Sequence, residues 1–135
     1  MTNDRNFILK DCDVSIVDFF KIDPMLGVVF YYFVKYAKEN NLPVVVTSMI
    51  DSPEISKRLN RVSTTHDDGR AIDISAKDWP LLHCHRVTTK INDKYARDYG
   101  TCPPNGKPRV VVFHNSGHGD HFHLQVKRNI IEFLD

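Results

Sequence analysis

What this chain has little of narrows its class. Its three cysteines (Cys12, Cys84, Cys102) are an odd number without paired spacing. That argues against a disulfide framework and for a reduced place of synthesis. Long apolar runs are missing: the most apolar stretch, Leu26 to Val34, is far shorter than the about 20 residues a membrane-spanning helix needs. The opening residues Met1-Thr2-Asn3-Asp4-Arg5-Asn6 have no apolar signal core, so synthesis in the cytoplasm without a signal peptide is expected. Charge of one sign is not in excess. The net charge is +1 with histidines neutral, too small to draw the chain to nucleic acid. Lys57-Arg58 and Arg61 are only a local cluster, read as a solvated face. No repeat or low-complexity segment interrupts the sequence. Its 135 residues suffice for one domain with one core, expected to span the whole chain with the ordered part at about 22–127 and to act as a monomer.

What is there reads as alternating helices and strands. Residues 6–22 suggest a short strand or turn segment packed on the core. Ile22-Asp23-Pro24 is a helix start, with Asp as cap and Pro in the first turn. The apolar spacing of Leu26, Val29, Phe30, Phe33, Val34 and Ala37 carries that helix to about Asn40-Asn41. Pro43 to Thr47 is a β-branched run and predicts a buried strand. A short helix is possible at Pro53–Leu59, and a strand is expected from Arg70 to Ser75. Asp78-Trp79-Pro80 is expected to cap a second helix with the stripe Cys84, Val87, Ile91 and Tyr95, ending at Tyr99-Gly100. Trp79 reads as a packing residue, with a place in a cleft wall as the lesser alternative. His83-Cys84-His85 does not read as a metal site, because neighbours on a helix diverge by about 100°. After the loop 101–108, strands at Arg109–His114 and His121–Lys127 flank a turn and form an antiparallel hairpin. A short closing element is expected at 128–135. The fold class is α+β: an antiparallel sheet with helices packed on it.

The chemistry concentrates in two clusters. Thr64-Thr65-His66-Asp67-Asp68-Gly69-Arg70-Ala71-Ile72-Asp73 holds a histidine and an aspartate on either side of a tight turn. Side chains alternate along the strand that follows, so Ala71, Asp73 and Ser75 share one face while Ile72 and Ile74 enter the core. Ala71 is small enough to leave room for an ion beside Asp73. His66 can fold back to meet Asp73, as a hydrogen-bonded pair or as half of a metal site. The second cluster, Asp120-His121-Phe122-His123, lies in the stretch from 114 to 123 that also holds His114 and His118, four of the seven histidines in the chain. His121 and His123 share a face, with Leu124 and Val126 directed to the core. One of them can complete a His, Asp, His set, which suits zinc and leaves a position for water. Asp120 follows Gly119 at the end of a turn and can stand near such an ion without binding it. A carboxylate there can take a proton from water that the ion has activated. His118 reads as a substrate contact or gate, or equally as a solvated histidine, and His114 as a local pair.

Together the clusters resemble the zinc peptidase group that includes VanY-type D-alanyl-D-alanine carboxypeptidases and phage L-alanyl-D-glutamate endolysins. Lysostaphin-type peptidases and the hedgehog signalling domain are more distant relatives of that group. The group pattern, Ser-x-His-x-x-Gly-x-Ala-x-Asp followed by Asp/Glu-x-x-His, is met by Thr64 to Asp73 and by Asp120 to His123. The resemblance implies a hedgehog/D-Ala-D-Ala-peptidase-like domain over most of the chain, with His66, Asp73 and His123 as zinc ligands. It implies Asp120 as the catalytic base and His121 as a candidate stabiliser of the developing oxyanion. Thr64, Arg70 and His118 are the candidate substrate-binding residues. The sequence departs from the group in two places. Thr64 replaces a serine but keeps a hydroxyl. Thr47-Ser48-Met49-Ile50-Asp51 lacks the arginine of the Ser-Gly-Tyr-Arg stretch, and Arg58, Arg61 or Arg70 would have to replace it.

The expected function is therefore a zinc-dependent peptidoglycan peptidase, a D,D-carboxypeptidase or an endopeptidase of endolysin type, acting on the cell wall or in the periplasm. Small size and the missing signal fit a phage-encoded or virion-associated enzyme. The alternative is a zinc-binding recognition module of the same fold that has lost catalysis. A metal-dependent nuclease is disfavoured by the near-zero net charge. Neither nucleic acid nor a membrane is an expected partner.

Overall fold

The computed structural model describes residues 7–9, 22–49, 70–104, 106–115 and 119–127. The elements run β1 (Phe7–Leu9), α1 (Pro24–Glu39), β2 (Val44–Ser48), β3 (Ala71–Ser75), α2 (Leu81–Tyr99), β4 (Val111–His114) and β5 (His121–Gln125). The short helix expected at Pro53–Leu59 and the closing element at 128–135 lie outside the described residues.

Asp23 caps α1 as expected: its carboxylate accepts the Met25 amide at 2.8 Å, and Pro24 opens the first turn. The helix ends in two backbone bonds, Asn41 N–H to Lys38 O and Leu42 N–H to Ala37 O. Asn41 takes the left-handed φ of +56° that this closing motif requires, and Leu42 is buried beneath it.

The second helix starts later than predicted. Its N-cap is Pro80, with no side-chain cap bond. The Pro80 carbonyl accepts from His83 and Cys84, so Asp78 stands two residues too early to serve the first-turn amides. The buried stripe is Cys84, Val87, Ile91 and Ala96, and Tyr95 is only half buried because its ring leans on Tyr32 of α1 at 5.2 Å. Gly100 ends the helix in extended rather than left-handed backbone, with φ −79°. Glycine is needed there for close approach: a Cβ would lie 2.5 Å from Ala96 O and 2.8 Å from Arg109 N.

Five strands form one sheet in the order β1-β2-β3-β5-β4. The β2, β3, β5 and β4 strands pair antiparallel, as expected for an α+β domain. The β1 strand adds a parallel edge on β2, reached by a crossover that contains α1. The β4–β5 pair is the predicted hairpin, with His114 opposite His121 and Val112 opposite His123.

Alternation along the strands sorts the sheet into two faces. Val44, Val46, Ile72, Ile74, Phe122 and Leu124 are buried in one cluster with Leu26, Val29 and Phe33 of α1 and with Val87 and Ile91 of α2. Phe33 stacks on Trp79 at 5.1 Å and meets Phe122 edge-on at 4.9 Å. Trp79 is a core residue, as predicted, and donates its indole N–H to Pro43 O at 2.7 Å. Asn92 of α2 clamps the hairpin: its Oδ1 accepts from the Val110 and Val111 amides and its Nδ2 donates to Val111 O. The second face carries Ala71, Asp73 and Ser75 of β3 and His121, His123 and Gln125 of β5.

Candidate functional site

Register decides which polar side chains meet. In the β3–β5 ladder Asp73 stands directly opposite His123, Ser75 opposite His121 and Ala71 opposite Gln125. Directly opposed residues of an antiparallel pair bring their Cβ atoms to about 5 Å. The Asp73 carboxylate and the His123 imidazole close that gap, Oδ1 to Nδ1, at 2.8 Å. Both are largely shielded, with side-chain exposures of 13% for Asp73 and 22% for His123. Thr47, at an irregularity in β2, donates its hydroxyl to the Asp73 carbonyl at 3.3 Å and helps hold the strand carrying the carboxylate. On its other side, His123 places Nε2 2.7 Å from Gln125 Oε1.

These two donors suit zinc. To hold such an ion the pair would exchange their direct contact for bonds to it. One hard carboxylate oxygen and one imidazole nitrogen match the borderline character of the ion. The third expected ligand, His66, lies outside the described residues, as do Thr64 and His118. Among the described residues no group of three or more His, Cys, Asp or Glu side chains could hold a metal ion.

A cleft of about 810 Å³ opens beside the pair, and Asp73, Asp120, His121, Ser75, Thr47 and Trp79 are among its lining residues. Asp120 therefore reaches the cleft that Asp73 faces, although strand alternation alone would turn it away. It lies just before β5, after Gly119 with its left-handed φ of +61°. Its carbonyl accepts the Ala76 amide at 2.9 Å, pinning that turn to the end of β3. Cys84, across the same cleft, is held as the neutral thiol: burial raises its pKa, and the Asp120 charge pushes the same way. Buried and protonated, Cys84 behaves as a packing residue, as the helix-spacing argument expected.

His114, His121 and His123, the described histidines of the hairpin, stand together. His114 stacks on His121 with ring centres 4.8 Å apart and meets His123 edge-on at 6.4 Å. The pKa of His114 is lowered first by burial and then by the His121 and His123 charges, so His114 favours its neutral form. His121 Nδ1 lies 3.0 Å from Gly119 O. A carbonyl only accepts, so Nδ1 carries a proton, and Nε2 of a neutral His121 is an acceptor. His121 can donate to an oxyanion from Nε2 only as the imidazolium.

Arg70 immediately precedes β3, and its Nη1 donates to Val126 O at 3.4 Å. That bond directs part of the guanidinium to the chain after β5, at the end of the ladder away from Ser75 and His121. Thr47, Ser48 and Met49 close β2 and enter the bend that follows it. Ser48 and Met49 are buried and Thr47 faces the cleft.

Sequence reasoning missed Thr47 and Gln125 as parts of this site. Gln125 had a visible signal: it is two residues beyond His123 and so shares its face. Among the described residues no helix is long and apolar enough to cross a membrane. No protein-family model, curated protein or solved structure matches the chain.

Proposed function

We propose that the chain is a zinc-dependent peptidoglycan peptidase with a hedgehog/D-Ala-D-Ala-peptidase-like fold. The observation that carries this reading is the 2.8 Å approach of Asp73 and His123 across β3 and β5, at the edge of a cleft that Asp120 and His121 also line. Asp73 and His123, with His66, would hold the ion. When bound, zinc would supply Lewis acidity and lower the pKa of coordinated water to about 7. Asp120, which lines the same cleft as Asp73, takes the proton from the attacking water and returns it to the leaving amine. His121 as the imidazolium donates from Nε2 toward the carbonyl oxygen that gains charge. Cleft-lining Ser75, whose Oγ accepts the Lys77 amide at 3.2 Å, can donate its hydroxyl to a peptide carbonyl. The substrate class is a stem peptide or cross-link containing D-amino acids, and the setting is the cell wall, in the manner of a phage endolysin.

The test is release of peptides from purified peptidoglycan with and without a chelator, read by mass spectrometry so that the new termini name the bond. Release should stop with chelator, and Asp120→Ala should lower the rate by about 10²- to 10⁴-fold. Equal release by Asp120→Ala and the native chain would remove Asp120 from its assigned role.

A second reading is a zinc-binding recognition module without catalysis. Two observations favour it: no arginine occupies Thr47 to Asp51, and Arg70 donates to Val126 O. Zinc at one per chain with no hydrolysis of any peptidoglycan fraction would establish this reading over the first.

A further inference from the structure

His123 has an oxygen on each side. Nδ1 lies 2.8 Å from Asp73 Oδ1 and Nε2 lies 2.7 Å from Gln125 Oε1. A neutral imidazole has one N–H and one lone pair, so it can satisfy only one of these oxygens as a donor. The amide oxygen of Gln125 accepts a proton but does not hold a cation tightly. The carboxylate of Asp73 does. Without metal only the imidazolium donates to both oxygens; a cation in place of the Nδ1 proton serves the same two oxygens, with Nε2–H still donating to Gln125 and the Nδ1 lone pair turned to an ion shared with Asp73.

We propose that Gln125 is a positioning residue that commits His123 to bind metal through Nδ1. This rests on the zinc reading of the site. Three features of the strand make the role possible. Gln125 is two residues from His123 on the same face of β5. Its backbone is fixed by donation to Val110 O at 2.9 Å. Its partner across the ladder is Ala71, whose methyl group leaves the amide room to reach back along the strand. An acceptor on the far nitrogen fixes ring rotation and tautomer and raises the basicity of the ligating nitrogen, and its loss typically costs 10- to 100-fold in metal affinity.

The experiment compares the native chain with Gln125→Glu, which keeps an acceptor, and Gln125→Met, which matches the volume without one. Zinc affinity is measured by chelator competition, and ¹⁵N-resolved imidazole spectra of His123 are recorded with and without zinc. Gln125→Met should weaken zinc by about 10- to 100-fold and Gln125→Glu should stay within a few-fold of native. The native zinc-loaded spectrum should show Nδ1 ligated and Nε2 protonated. Unchanged zinc affinity in Gln125→Met, or ligation through Nε2 in the native chain, overturns the proposal. The spectra without zinc separate this inference from the zinc reading. If the native chain takes up no zinc, the zinc reading falls. The orienting role then stands only if a hydrogen-bonded His123 Nε2–H is seen in the native chain and in Gln125→Glu but lost in Gln125→Met.

Discussion

The two faces of the sheet use the same strands for opposite ends. On one face Ile72, Ile74, Phe122 and Leu124 are fully buried against the two helices. On the other, one residue along, stand Asp73, His121 and His123. Asp73 is nearly as buried as its neighbours, at 9% exposure, yet it is polar and paired with a histidine. A buried carboxylate is costly unless it is hydrogen-bonded or bound to a cation. One face is thus accounted for by hydrophobic burial. The other holds a buried carboxylate paired with a histidine, which hydrophobic burial does not account for. Because the side-chain period is two, a one-residue slip of β5 would exchange the faces, so the core holds the site in register.

That contrast can be broken from either side. The largest loss of stability is expected from Phe122→Ala. Phe122 packs against Phe33 and Trp79 at 4.9 Å and against Phe113 at 5.4 Å, so its removal should cost about 3–5 kcal/mol in chemical denaturation. His123→Ala should abolish zinc uptake and, by removing the histidine partner of the Asp73 carboxylate, cost about 1–3 kcal/mol, measured on metal-free protein. Asn92→Ala should cost a similar amount, about 1–3 kcal/mol, because two hairpin amides and one carbonyl lose their partner. The smallest effect is expected from Trp79→Phe, which keeps most of the ring packing but loses the bond to Pro43 O, at about 1 kcal/mol. If Phe122→Ala and His123→Ala cost the same in metal-free protein, the division into a packing face and a chemical face fails.

Local signals made much of this legible in advance. Asp23-Pro24 marked the start of α1 because capping is decided within one turn. Alternation in Ala71–Ser75 and in His121–Gln125 sorted the side chains onto their faces because it is a property of the strand itself. What depends on distant partners was less legible. The direct opposition of Asp73 and His123 needs β5 to lie next to β3, which requires strand order, and the motif resemblance implied that proximity without showing it. The parallel pairing of β1 with β2 is likewise a long-range event. Asp78 looked like a cap because Asp before Pro is a common start, but Pro80 itself became the N-cap. Tyr95 left the core stripe because Tyr32 on the other helix offered it an edge contact. Gln125 escaped notice because amides carry no strong motif, and its role shows only when the far nitrogen of His123 is traced to its partner.

On the proposed reading, this second face would hold one zinc ion between Asp73 and His123. Metal analysis of purified protein, after reloading and desalting, tests it directly in the native chain, Asp73→Ala and His123→Ala. The account predicts one zinc per native chain and almost none in either variant, with both variants still folded by circular dichroism. Native protein without zinc, or variants that retain it in full, would contradict the account.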